Sequence, residues 1–235
     1  MTKPTLSALP ALVTLTAAAL CHATAARADD LPSNTLRVGM YAVFYHVKAD
    51  DISGPYVPAG VNLDVNNTQT AYFAYIRRLS SGFDFEFTFG IPPNTKTVGK
   101  GPATLGSVPY NGVIISTARW AAPSALLEYK FFSENAAFRP YLGVGVNYTS
   151  FYDRQATAAG EAGSGGPTRI SLTSSVGPVG TVGLKYQPGT RWSVIASYSI
   201  TRVDTSLKAD TAGAIRTTHI SFGPQALVVA AGYSF

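Results

Sequence analysis

The last ten residues, 226–235, close on an alternation of small and aromatic side chains. Leu227, Val229, Tyr233 and Phe235 fall on one face of an extended strand, and Gly232 and Ser234 fall on the other. Successive side chains of a strand point to opposite faces. A strand that is oily on one face and small or polar on the other suits a closed sheet with lipid outside. A soluble sandwich could bury one such stripe, but the pattern recurs. Phe83, Phe85, Phe87, Phe89 and Ile91 oppose Asp84, Glu86, Thr88 and Gly90. Leu142, Val144, Val146 and Tyr148 oppose Gly143, Gly145, Asn147 and Thr149. Leu36, Val38, Met40, Ala42 and Phe44 alternate with Arg37, Gly39, Tyr41 and Val43, and Trp192, Val194, Ala196, Tyr198 and Ile200 form a further stripe.

Such runs predict about eight strands, at residues 35–48, 67–78, 83–92, 119–132, 138–152, 175–187, 191–203 and 217–235, each roughly as long as a tilted bilayer-crossing strand. Their connections alternate in length. Short turns are expected near 78–82, 133–138 and 187–190, the last carrying Pro188 and Gly189. Long loops are expected at 49–66, 92–118, 153–174 and 204–216. The expected fold is all-β, an eight-stranded antiparallel up-and-down transmembrane β-barrel, with short periplasmic turns and long outside loops.

Composition agrees. Charged residues make up 13% of the chain, against about a quarter in ordinary soluble domains. Lys3, the apolar stretch 6–20 and the small residues Ala26 and Ala28 read as an export signal over residues 1–28, leaving a single barrel domain over 29–235. Cys21 is the only cysteine and falls within that signal, so the mature chain can form no disulfide or cysteine metal site. Leu20 stands where a lipid-attachment motif needs a small residue. Lys and Arg are scattered, which argues against nucleic acid as a partner. No spacing suggests a metal ligand set, a phosphate loop or a cofactor. Aromatics gather near the short turns (Phe83, Tyr129, Phe131, Tyr141, Tyr186, Trp192, Tyr233 and Phe235), as in an interfacial girdle.

Residues 138–149, from Phe138, Arg139 and Pro140 through Gly143, Gly145 and Asn147, resemble the fifth-strand signature of the OmpW/AlkL family. Asn66 to Gln69, Gly177 to Gly183, Val203 to Thr205 and Ala231 to Phe235 fit in register, so the resemblance spans essentially the whole mature chain. It implies a small barrel in a Gram-negative outer membrane. It also implies passive uptake of small hydrophobic compounds, which enter from outside and leave sideways into the membrane. Phe235 resembles the terminal residue by which the barrel-assembly machinery recognises its substrates. The partners implied are outer-membrane lipid, hydrophobic solutes and that machinery.

The residues can be asked the same question. An eight-stranded barrel has an interior about wide enough for side chains to fill. With the short turns at the bottom, the inward set predicts a charged lower plug of Arg37, Arg77, Asp84, Glu86, Glu128, Lys130 and Lys185. Above it the inward set predicts an apolar upper lumen of Tyr41, Val43, Tyr45, Phe73, Val179, Ile195 and Val228. Proline cannot donate to a strand ladder, so Pro178 and Pro224, both inside predicted strands, are candidates for a lateral opening. Tyr56, Val57, Val61 and Leu63 are apolar residues of the first long loop and could form a hydrophobic funnel, or pack together on strands that extend above the membrane. Residues 156–166 are Ala- and Gly-rich and admit a short helical turn.

Two other functions are open at this point. One is a structural or adhesive barrel without transport. The other is a lipid A deacylase, since His219 and Ser221 are two apart on one strand face. A nucleophile needs a supported base, and the acids Asp84, Glu86 and Glu128 are expected at the other end of the barrel. The chain is therefore not expected to be an enzyme.

Overall fold

Two-residue alternation dictates extended chain from one end of the domain to the other. The computed structural model of the protein describes residues 32–235 except 106 and 190. The expected export signal lies outside the described residues. Strand β1 (Asn34–Phe44) continues upward as β2 (Val47–Ala49). β3 (Asn62–Val65) descends into β4 (Thr68–Arg78), and β5 (Phe83–Gly90) rises into β6 (Asn94–Lys100). A small hairpin follows, β7 (Thr104–Leu105) and β8 (Val108–Pro109). β9 (Ile114–Ala121) descends into β10 (Ser124–Lys130), and β11 (Phe138–Ala156) rises with a bulge between Tyr152 and Gln155. After helix α1 (Ala158–Ser164), β12 (Thr168–Leu172) descends into β13 (Ser175–Tyr186). β14 (Trp192–Thr201) rises into β15 (Val203–Thr211), and β16 (Ala214–Phe222) descends into β17 (Gln225–Ser234).

The lower strands pair antiparallel in the cycle β1, β4, β5, β10, β11, β13, β14, β17 and back to β1. The sheet is a closed barrel of eight strands, as the alternation predicted. Closure leaves no edge, which is what hydrocarbon demands of a spanning sheet. Outward residues Leu36, Val38, Met40, Val144, Val182, Val194, Leu227 and Val229 are exposed, while inward Glu128 and Ile195 are 0% exposed. That inversion of the soluble pattern puts lipid on the outside. At the end with the short turns, Phe83 meets Tyr129 and Tyr129 meets Phe131, each at 5.1 Å; Phe138 meets Tyr186 at 4.5 Å, and Trp192 meets Tyr233 at 5.0 Å. Val144 sits midway along the spanning part of β11 and is 69% exposed. Replacing it with arginine is expected to cost about 2–4 kcal/mol, read by denaturant unfolding in lipid vesicles.

The long loops expected from the sequence prove to be largely strand. Their upper segments form two four-stranded sheets above the barrel, β3–β6–β9–β11 and β12–β15–β16–β2. The shortest of these within the expected loops, β3 and β12, have four and five residues, too few for alternation to stand out, whereas β15 runs for nine residues and alternates Val203, Thr205, Leu207 and Ala209 with polar side chains. The strand predicted over 217–235 is in fact two, parted at Gly223 and Pro224. Leu63, Val203, Leu207, Ile220 and Phe222 pack inside this upper section as a second core. Helix α1 is capped by Thr157, whose hydroxyl accepts from the Gly160 N–H, and ends at Gly165 in the left-handed conformation.

Candidate functional site: a chamber over a charged floor

The floor begins with Arg37 on β1. Its guanidinium pairs with Glu86 of β5 and lies 3.4 Å from Glu128 of β10. Lys130 pairs with Asp84 on the same two strands. Glu86 also accepts a hydrogen bond from the Tyr72 hydroxyl at 3.1 Å, and Arg37 stands 5.7 Å from the ring centre of Tyr141. Tyr141 was expected in the outer girdle, but it is inside and buried. Gly183 makes room for it, since a Cβ there would stand 2.4 Å from the Tyr141 ring. Arg139, which sequence reasoning placed in no role, closes the bottom by donating to the carbonyls of Ser81, Phe131 and Phe132. Lys185 is half-buried and pairs in register with Arg139.

Arg77 is not part of this floor. It points outward and donates to Ser33 and Asn34 at the periplasmic rim. Phe73 is outside as well, stacked on Phe89 at 5.5 Å. Both corrections come from β4, where Tyr72, Phe73, Ala74, Tyr75 and Ile76 are apolar on both faces. Alternation alone cannot say which face is in; the structure buries Tyr72, Ala74 and Ile76. Ile195 is inside but sealed in a cluster with Tyr72, Ala74, Ile76, Val228 and Ala230.

Above the floor lies a chamber of about 1390 Å³, its open mouth included, and Tyr41, Val43, Tyr45, Val179 and Val228 all line it. At mid-height the wall carries Ser124, Asn147, Thr149, Thr181, Ser197 and Ser199. Near the mouth it becomes oily through Leu63, Leu172, Leu207, Ile220 and Phe222. Of the four first-loop residues, Leu63 lines the chamber and Val61 is buried. Val57 is half-buried, and Tyr56 is 91% exposed with a left-handed backbone. Trp120, Phe151 and Asn147 line the chamber too; their heights depend on the pairing of β9 with β11 and cannot be read from alternation.

The chamber wall is not uniformly laddered. β5 pairs with β10 up to Thr88 opposite Ser124, and the next pair above is Asn94 of β6 opposite Arg119 of β9. Residues 89–93 therefore face 120–123 without a strand ladder, and Pro92 and Pro93 have no N–H to offer. Asn147 ties down the far edge, donating to the carbonyls of Ala122 at 3.1 Å and Pro123 at 3.4 Å. Phe89 points outward by strand parity and is 48% exposed, yet it also lines the chamber. The other prolines sit differently. Pro178 accepts from the Arg202 N–H, and just above it Ser175 and Thr173 side chains accept from the N–H groups of Asp204 and Ser206. Pro224 accepts from the Thr201 N–H at 3.0 Å.

His219 and Ser221 lie on the outer face of β16. His219 Nε2 is 4.0 Å from Asp204 Oδ1. Hydrogen bonding from Ser221, followed by Arg202, holds the Asp204 carboxyl below its usual range. Ser221 stands opposite Asp204 in the β15–β16 register, so all three residues lie on the outer surface of the upper sheets, away from the chamber. Among the described residues no group of three or more His, Cys, Asp or Glu could hold a metal ion.

A family model described as the OmpW family matches residues 101–235. Outer membrane protein W of Vibrio cholerae is 25% identical over 200 residues, covering 85% of this chain and 87% of that protein. The crystal structure of OprG from Pseudomonas aeruginosa superposes with a TM-score of 0.77 at 21% identity, over 87% of this chain and 96% of that one. The structure of the outer membrane protein AlkL in lipid bilayers gives a TM-score of 0.63 at 20% identity, over 91% and 96%. These two likenesses show the fold.

Proposed function

The chain belongs to the OmpW family of outer-membrane β-barrels, and on that premise we propose that it admits small hydrophobic molecules from outside the cell and releases them sideways into the outer membrane. The observation that carries this reading is the pairing of a blocked floor with an unladdered wall. Moving a greasy solute down through Arg37, Glu86, Glu128, Lys130 and Asp84 would separate buried charges, at a cost of several kcal/mol. Entering the oily mouth returns about 0.8 kcal/mol per buried methylene. The exit nearest the floor is between residues 89–93 and 120–123, where no ladder bond must break and lipid-facing Phe89 already borders the chamber.

The test compares cells making the protein with cells carrying an empty vector. Uptake of a radiolabelled long-chain alkane is expected to rise, while planar bilayers holding the purified barrel show no large steady conductance. Equal uptake in the two strains, or a steady water-filled conductance, overturns the proposal.

The exit proposed here differs from Pro178 and Pro224, the positions picked out by sequence alone. Side chains of Ser175 and Thr173 already stitch the strands beside Pro178. Changing Pro178 to Ala is therefore expected to leave alkane uptake unchanged in the same assay.

A further inference from the structure

The unladdered stretch of wall has a side chain laid across its inner face. Tyr41 points inward from β1, where it is paired in register with Thr70 of β4. Its ring reaches over β4 to the end of β5. A Cβ built on Gly90 would stand 2.5 Å from the Tyr41 hydroxyl and 2.7 Å from its Cε1. The tyrosine thus occupies the place that a side chain at Gly90 would fill. Gly90 is the last residue of β5, immediately before Ile91, Pro92 and Pro93. On the opposite edge of the same stretch stands Trp120, whose ring centre is 6.4 Å from that of Tyr41. Below, Tyr72 meets Tyr41 edge-on at 6.3 Å. Tyr41, Phe89, Gly90 and Trp120 all border the chamber.

Resting on the exit proposed above, we propose that Tyr41 is the latch of that exit and the residue that selects which solutes pass. The ring bridges the two edges, Gly90 on one and Trp120 on the other, where backbone bonds do not. A solute leaves by turning the ring off Gly90, a side-chain rotation that breaks no strand pairing. Slender chains need a small displacement and bulky or fused-ring solutes a larger one. A Cβ at Gly90 would drive the ring out of its seat and would also stand 2.8 Å from the Ala71 carbonyl oxygen.

The test has two arms. In the first, Trp192→Phe leaves Trp120 as the sole tryptophan, since the chain has two. The refolded barrel is placed in vesicles of phosphatidylcholine brominated on its acyl chains, and folding is confirmed by its mobility shift on unheated gels. Adding Tyr41→Ala is expected to raise quenching of Trp120 severalfold, because the ring no longer screens it from the lipid. Adding Tyr41→Phe instead, which keeps the ring, is expected to leave quenching as it was. Equal quenching in all three overturns the latch whether or not the protein transports anything. In the second arm, Tyr41→Ala in cells is expected to raise uptake of a fused-ring hydrocarbon more than uptake of a linear alkane. If the unaltered protein takes up neither solute, the uptake reading fails while the first arm still judges the latch. If it takes up alkane and Tyr41→Ala leaves the ratio of the two solutes unchanged, the latch fails and uptake stands.

Discussion

Replacing Arg37 with leucine is expected to cost the folded barrel about 3–5 kcal/mol, because it strands buried acids without their cation. Glu86 and Glu128 both lean on this one guanidinium, and both are almost wholly buried. Lys130 is committed to Asp84 on the neighbouring part of the floor. Urea unfolding in lipid vesicles, followed by tryptophan fluorescence and the gel mobility shift, reads the loss. Adding Glu86→Gln and Glu128→Leu to the same chain removes the stranded charge and is expected to recover most of the loss. A single variant as stable as the parent would mean that the floor is wetter than its burial implies.

The second large effect is on passage. Pro92→Val with Pro93→Val gives residues 89–93 back two N–H donors at the point where the ladder stops. Ile91 donates to Ala71 on the β4 side, so of the next two N–H groups only that of residue 92 can face the gap. One recovered ladder bond is worth about 1 kcal/mol net, roughly fivefold in the open population. Alkane uptake is expected to fall by about that factor if the gap is the route. Folding yield and urea midpoint are expected to hold or rise slightly. Unchanged uptake in a correctly inserted double variant would move the route elsewhere in the wall.

How much of this was legible in the chain depends on which face of a strand carried a distinctive residue. On β1, β5 and β10 the inward set includes Arg37, Asp84, Glu86, Glu128 and Lys130, so charge marked the inside and the floor could be named in advance. On β4 both faces are oily, and one wrong parity carried Phe73 and Arg77 inside together. In the upper sheets β3 and β12 were read as loops because they span only four and five residues, too short for a period of two to register. β15, at nine residues, carried an alternation that was overlooked. Asn147 and Tyr41 could be placed on an inward face, but their partners could not. What each does depends on register across the barrel, which puts Asn147 against the Ala122 carbonyl and Tyr41 against Gly90. Pro92 and Pro93 were visible as residues, yet they gained meaning only once the missing rungs beside them were known.

The Arg139 clamp and the paired charges above it fill the periplasmic end of the lumen with hydrogen-bonded and ion-paired side chains. On the proposed function, a cell could insert many copies of such a barrel and still hold back sugars, salts and water-soluble poisons. Its appetite for oils would scale with copy number, while its tightness toward everything dissolved in water would not change.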